Sequence, residues 1–305
     1  MNPLADSALP ASVRVASVQF EARSNQGAAA FEAQVGYWIT VAAQAQCDFV
    51  LFPEFFTMPL LSDGGPELDP LSAMQAIAAH GEWFCTFMQR SAVAHGINII
   101  AGTHPGQAPD GQMLNSCHVF LRDGSRAVQD KLHPTPSERE VWHIAGGSKA
   151  GVIATDRGPI GVMVCYDSEF PEMARHLVDQ GALLLFVPYC TEDRRGHLRV
   201  RYCCQARTVE NQCYVITAGL VGNLAGVANM DVHFAQSAVL TPSDHMFARD
   251  GVAAQAEPNV ETIVIAELSL DALLASRNAG AVRNLADRRA DLYHVAWTEG
   301  AEGKT

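Results

Sequence analysis

The apolar positions of this chain fall into short continuous runs and longer periodic stretches that alternate. Residues 13–20 (VRVASVQF) are apolar on both faces and predict a buried strand. Phe31, Val35, Trp38, Ile39 and Ala42 recur at spacings of three and four, which predicts an amphipathic helix through Ala45. A second short strand is predicted at 49–52 (FVLF), ending in Pro53-Glu54. Residues 57–70, with Gly-Gly, three prolines and two aspartates, read as a long loop. Periodic apolar residues then predict one helix over 71–95, followed by a strand at 98–102. Residues 115–121 and 126–130 form a predicted hairpin about Arg122-Asp123-Gly124. Residues 131–147, with Pro134 and Pro136, are polar and irregular.

A second hairpin is predicted for 151–155 and 160–164 about Asp156-Arg157-Gly158. Its second run leads through Cys165, Tyr166 and Asp167 into a helix over 169–180, with Ser168 read as the N-cap and Pro171 in the first turn. Strands follow at 183–187, 214–218, 236–240 and 262–268, with helices at 198–211 and 270–277 and a Gly- and Asn-rich loop over 219–235. Strands and helices alternate in both halves, which predicts an α/β fold with sheets inside and helices outside. No linker or short-period repeat divides the chain. The expected organisation is a flexible tail at 1–12, one domain at 13–277 and an extension at 278–305.

Composition narrows the function. The chain has 305 residues, 48% hydrophobic and 18% charged, enough for a large core. A net charge of -12 argues against nucleic acid or an anionic membrane as the partner, since both need a basic face. The first residues, MNPLADSALP, lack the basic and apolar regions of a secretory leader, and no apolar run approaches the roughly 20 residues of a membrane span. The 8 cysteines include no C-x-x-C pair, and no H-E-x-x-H occurs. We therefore expect reduced cysteines, a cytoplasmic location and no metal.

Three polar residues share one context. Glu54, Lys131 and Cys165 each stand just past the end of a predicted strand. Strand ends of a layered α/β fold converge on one rim, where ligands bind. A carboxylate, an amine and a thiol gathered there form a reagent set for acyl transfer: cysteine attacks, a base takes its proton and a cation holds the oxyanion. No cofactor is needed. Taken singly, each has an ordinary reading. Glu54 would be a capping or ion-pairing residue, Lys131 a solvated loop lysine and Cys165 a small buried apolar side chain.

The segments FPEFF around Glu54, DKLHPTPSERE from Asp130 and GVMVCYDSEFPEMAR around Cys165 resemble the three motifs of the nitrilase superfamily, the carbon–nitrogen hydrolases. The opening VRVASVQF and the segment ARTVENQCYVITAG are similar to that family's first strand and to its segment after the nucleophile. The resemblance runs from about Val13 to about Leu268 and implies a four-layer αββα sandwich. It implies that Glu54 is the general base and later the acid, and that Cys165 forms a thioester. Lys131 and the backbone N–H of Tyr166 would hold the oxyanion. The Lys131 ammonium is also expected to favour the Cys165 thiolate. A second glutamate is implied between lysine and cysteine. Glu140, in Glu140-Val141-Trp142, fits the family's pattern better than Glu138, which is kept as a substrate-binding candidate.

Cys-Tyr-Asp followed by Phe-Pro-Glu looks like the amidase and carbamoylase branches rather than true nitrilases. Tyr189 and Cys190, after the strand at 183–187, are expected to line the acyl pocket. Arg194, Arg195, Arg199, Arg201 and Arg207 form a basic patch. It reads either as a carboxylate-recognition surface or as a helix face paired to local acids such as Glu192, Asp193 and Glu210, and the second is favoured. The expected function is hydrolysis of a small amide or N-carbamoyl group to acid and ammonia, with a small-molecule amide as partner and a homodimer or higher homo-oligomer as the assembly. The alternatives are a nitrilase and an inactive protein of the same fold that binds small amides.

Overall fold

The computed structural model describes residues 9–24, 27–62, 68–224, 226–227 and 230–298. Most of the predicted N-terminal tail, the centre of the 57–70 loop, three positions of the 219–235 loop and the last seven residues of the C-terminal extension lie outside the described residues.

The elements in chain order are β1 (Ser12–Ala22), α1 (Gly27–Gln44), β2 (Phe49–Leu51), α2 (Pro70–Ala78), α3 (Gly81–His95), β3 (Asn98–Ile100), β4 (His104–Gln107), β5 (Met113–Phe120) and β6 (Arg126–Asp130). They continue with α4 (Pro136–Glu140), β7 (Ile144–Ala145), β8 (Ile160–Val162), α5 (Pro171–Asp179), β9 (Leu184–Tyr189), α6 (Arg194–Asn211) and β10 (Tyr214–Gly222). The last are β11 (Ala238–Leu240), β12 (Val252–Gln255), β13 (Thr262–Ser269) and α7 (Leu270–Ala279). Short 3₁₀ helices cover Met58–Ser62 and Cys165–Glu169.

One sheet runs β13–β1–β2–β3–β5, with β4, β6 and β7 also paired to β5. The other runs β8–β9–β10–β11–β12. The two meet where Phe20–Ala22 of β1 pairs in parallel with Leu220–Gly222 of β10. Period-two alternation sorts the core. Val13, Val15, Phe49 and Leu51 point into the space between the sheets with Val162, Phe186 and Ile216. Ala16, Val18, Val50 and Phe52 point the other way, against Phe31, Val35 and Ile39 of α1 and Phe84 and Met88 of α3. Phe49 meets Phe186 across the interior, ring centroids 5.4 Å apart. On the outer face of the second sheet, Met173 and Leu177 of α5 and Val200 and Cys204 of α6 close the fourth layer. The result is the expected αββα sandwich.

Four local expectations change. The single helix predicted over 71–95 is two, because α2 ends at Ala78, capped by Ala79, and α3 restarts at Gly81, a poor helix former. The irregular stretch 131–147 contains α4, opened by a reciprocal Thr135–Glu138 capping box and Pro136. Ser168 is not the N-cap of α5. Its hydroxyl donates to the Cys165 carbonyl within the 3₁₀ turn (2.7 Å), and Phe170 occupies the cap. The hairpin predicted before Cys165 is reduced to a bridge between Ile153 and Ile160.

Candidate active site

Glu54 leaves β2 in a tight turn held from both sides. Phe52 and Phe56 stack beneath it, centroids 5.2 Å apart. The Phe55 N–H donates to Thr103 Oγ1 (2.9 Å). The turn presses on Gly102, where an added Cβ would lie 1.9 Å from the Pro53 carbonyl oxygen. Lys131 follows β6 and is registered by its own backbone. Its N–H donates to the Asn115 carbonyl (2.9 Å), and its carbonyl accepts from the Gly147 N–H (2.8 Å). Cys165 follows β8 and adopts φ +48°, a left-handed conformation uncommon for a residue with a side chain. That bend stands the thiol at the start of a 3₁₀ helix, in whose first turn the Tyr166 N–H has no intrahelical acceptor.

All three side chains reach one cavity of about 90 Å³, lined also by Phe55, Glu138, Trp142, Cys190, Glu192, Met230 and His233. This is small beside the ~300–1,000 Å³ of drug-sized pockets and suits a substrate of few atoms. A larger depression of about 640 Å³ lies between α5 and the C-terminal segment, but among the described residues its lining holds no thiol.

Lys131 is only 1% exposed and sits between two carboxylates. Its Nζ donates to Glu54 Oε1 (2.8 Å) and to Glu138 Oε2 (2.6 Å). Asn115 Nδ2 donates to the same two groups, at 2.9 Å to Glu54 Oε1 and 3.1 Å to Glu138 Oε1. Glu54 Oε2 accepts from the Cys190 N–H (3.0 Å), and the Cys165 thiol points at the Cys190 carbonyl (3.7 Å). Every oxygen of Glu54 is therefore aimed.

The charges follow from burial and arithmetic. One ammonium faces two carboxylates. Burial pushes the Glu54 carboxyl up, Lys131 pulls it down, Glu138 raises it again, and it comes to about 7. Burial alone would lower Lys131, but both carboxylates hold it well above its ordinary value. Burial and then the Glu54 charge push the Cys165 thiol well above its ordinary range, and the opposing pull of Lys131 does not prevail. Lys131 does favour the thiolate, as expected, but burial and the Glu54 charge outweigh it. The balance favours the protonated thiol, with the Glu54 carboxylate bonded to the Cys190 N–H beside it.

The structure brings together Glu54, Lys131, Cys165, Glu138 and Cys190. It does not bring in Glu140, which is exposed at the end of α4. At about 100° per residue, positions 138 and 140 differ by about 200°, so only one can face inward. The capping box turns Glu138 in, with its Oε2 also accepting from the Thr135 N–H (2.7 Å). Tyr189 does not line the cavity. Its ring is buried beside His197, and its hydroxyl accepts from the Gln236 N–H (2.9 Å). The Tyr166 ring packs on Phe170 instead, and Tyr166 is not among the residues that line the cavity.

The arginine patch also stays outside. Arg195 pairs with Asp193, Arg199 lies 3.6 Å from Glu169, and Arg207 pairs with Glu210 while donating to the Ser168 carbonyl (3.1 Å). Local pairing, the favoured reading, describes these three. Sequence reasoning missed Asn115, an amide within an otherwise largely apolar strand. It also gave no role to Asp167, although that carboxylate stands two residues after Cys165. Asp167 is fully buried and accepts from the N–H groups of Val164 (3.0 Å), His133 (2.9 Å) and Leu132 (3.4 Å). It ties the cysteine turn to the lysine loop.

The family described as carbon-nitrogen hydrolase matches residues 14–278. The chain is 44% identical over 285 residues to "Probable hydrolase YhcX" of Bacillus subtilis (strain 168), covering 93% of this chain and 55% of that protein. It therefore spans little more than half the length of this relative. It is 28% identical over 265 residues to "Omega-amidase NIT2-A" of Xenopus laevis, covering 84% and 88% of the two chains. Among solved structures, Saccharomyces cerevisiae Nit3, a member of branch 10 of the nitrilase superfamily, superposes with a TM-score of 0.73 at 25% identity, covering 90% and 96%. The chain belongs to the carbon-nitrogen hydrolase family of the nitrilase superfamily.

Proposed function

We propose that this protein hydrolyses a small amide to the acid and ammonia through a thioester on Cys165. The observation that carries the reading is the convergence of Cys165, Glu54 and Lys131 on one small cavity, with Lys131 Nζ 2.8 Å from Glu54 Oε1. Relatives named omega-amidase and deaminated glutathione amidase support an amide over a nitrile.

Glu54 takes the Sγ proton as sulfur bonds to the amide carbon, and the carbonyl π pair moves onto oxygen. Lys131 Nζ and the Tyr166 N–H hold that oxyanion. Collapse re-forms the carbonyl and breaks the C–N bond, and Glu54 passes its proton to the departing nitrogen. Water then attacks the thioester while Glu54 takes its proton, and the thiol leaves reprotonated. Glu138 and Asn115 hold Lys131 and Glu54 in place throughout.

The test is ammonia release from a panel of short amides, N-carbamoyl amino acids and nitriles. The expected result is release from amides, lost in Cys165→Ala. Turnover of nitriles alone would contradict the amide reading.

We also propose that two copies pair through the outer helices and the C-terminal segment, where Tyr202, Leu292, Tyr293 and Val295 are exposed. Light scattering should give a dimer, and Tyr293→Asp should shift it toward monomer. A wild-type monomer at micromolar concentration would contradict this.

A further inference from the structure

Beyond the reacting groups, two residues that line the cavity carry buried polar atoms with no hydrogen-bond partner among the described residues. His233 is buried, 4% exposed, and its Nδ1 lies 2.9 Å from the Gly222 carbonyl oxygen. A carbonyl oxygen only accepts, so Nδ1 carries the hydrogen. Burial holds the ring neutral by lowering its pKa, which leaves Nε2 as a bare acceptor. Among the described residues that Nε2 has no partner, and neither has the buried indole N–H of Trp142, a residue that lines the same cavity. A buried polar atom without a partner is destabilising, and a ligand that supplies the partner recovers the loss. His233 needs a donor, and Trp142 an acceptor. A hydroxyl is both.

The charge of the lining points the same way. Glu54, Glu138 and the exposed Glu192 stand against one ammonium, Lys131, which is already bonded to two of them. Among the described residues, no arginine lines the cavity. None of the internal residues outside the description is lysine or arginine. A substrate carboxylate would meet Glu192 and the lone pair of His233, both repulsive, with no cation to receive it.

We propose that this cavity selects amides whose acyl chain carries a hydroxyl or an ammonium and rejects those ending in a carboxylate, with His233 and Glu192 as the selecting residues. The proposal rests on the amidase reading and names its substrate class.

The test compares kcat/KM, by ammonia release, for four matched amides: butanamide, its omega-hydroxy and omega-amino derivatives, and succinamate. The hydroxy and amino compounds should exceed butanamide by about tenfold or more, and succinamate should be the poorest. His233→Leu should erase the advantage of the hydroxy compound. Glu192 is exposed, so Glu192→Arg should fold normally and raise succinamate relative to the amino compound. If butanamide is hydrolysed and succinamate is turned over as fast as the hydroxy compound, the selectivity proposal fails and the amidase reading stands. If none of the four releases ammonia, the amidase reading fails and takes this proposal with it.

Discussion

In the proposed mechanism Cys165 is a nucleophile that keeps its proton, which makes the carboxyl beside it the controlling group. Because Glu54 titrates near 7, it is protonated below that pH and cannot accept from sulfur. Alkylation of Cys165 by iodoacetamide should therefore rise with pH through about 7, and amide turnover should rise with it. A profile that climbs only in the ordinary thiol range would show that Glu54 is not the base. Glu138 makes the second residue-scale prediction. Glu138→Gln should lower kcat/KM on the order of 100-fold by loosening Lys131, whereas Glu140→Gln should stay within about twofold. Equal losses would contradict the assignment of Glu138.

Glu54 and Cys165 were legible because each is a polar residue just past an apolar strand, and Lys131 because it closes the predicted hairpin strand at 126–130. Choosing between Glu138 and Glu140 needed helix phase. The capping sequence Thr135-x-x-Glu138 with Pro136 carries that phase, and a pattern match on Glu140-Val141-Trp142 does not. Asn115 and His233 were not legible, because their roles come from partners at least 11 residues away, such as Glu138 and Gly222.

At the scale of elements, the site depends on two irregular segments held together. The lysine loop and the cysteine turn share few backbone bonds, and Asp167 bridges them. His133 adds a second contact, its Nδ1 at 2.8 Å from Asp167 Oδ1 and its ring stacked on Phe170 at 3.8 Å. Asp167→Ala would leave buried N–H groups without acceptors. It should cost at least ~2 kcal/mol in chemical denaturation and reduce turnover even in the folded fraction. A variant of unchanged stability and activity would remove Asp167 from this role.

Regular elements with strong periodicity were read correctly: the buried face of α1, Phe31, Val35, Ile39 and Ala42, is the face its spacing predicts. Short edge strands such as β4 (HPGQ) and β12 (VAAQ) carry too few apolar positions to declare themselves. The break between α2 and α3 falls at His80-Gly81, where the glycine interrupts an otherwise continuous helical periodicity.

The whole molecule brings strand ends from two sheets to one cavity, so the interior of the sandwich supports the chemistry. Phe49, between the layers against Phe186, should be costly to truncate. Phe49→Ala is expected to lose about 3–5 kcal/mol. A loss under ~1 kcal/mol would argue against a tightly packed interior. Among the described residues, no helix is long and apolar enough to cross a membrane. The α/β class was legible from alternating strands and helices. The pairing of β1 with β10 that joins the sheets was not, because it links residues 200 positions apart, such as Phe20 and Leu220.

The central claim is that Cys165 forms a thioester with an amide substrate. The most direct measurement is intact-mass spectrometry with peptide mapping after rapid acid quench of the enzyme with the omega-hydroxy derivative of butanamide, alongside Cys165→Ala. An acyl adduct on the Cys165 peptide, absent from the variant together with ammonia release, is the predicted result. Ammonia release that survives Cys165→Ala, or an adduct on another cysteine, would contradict it.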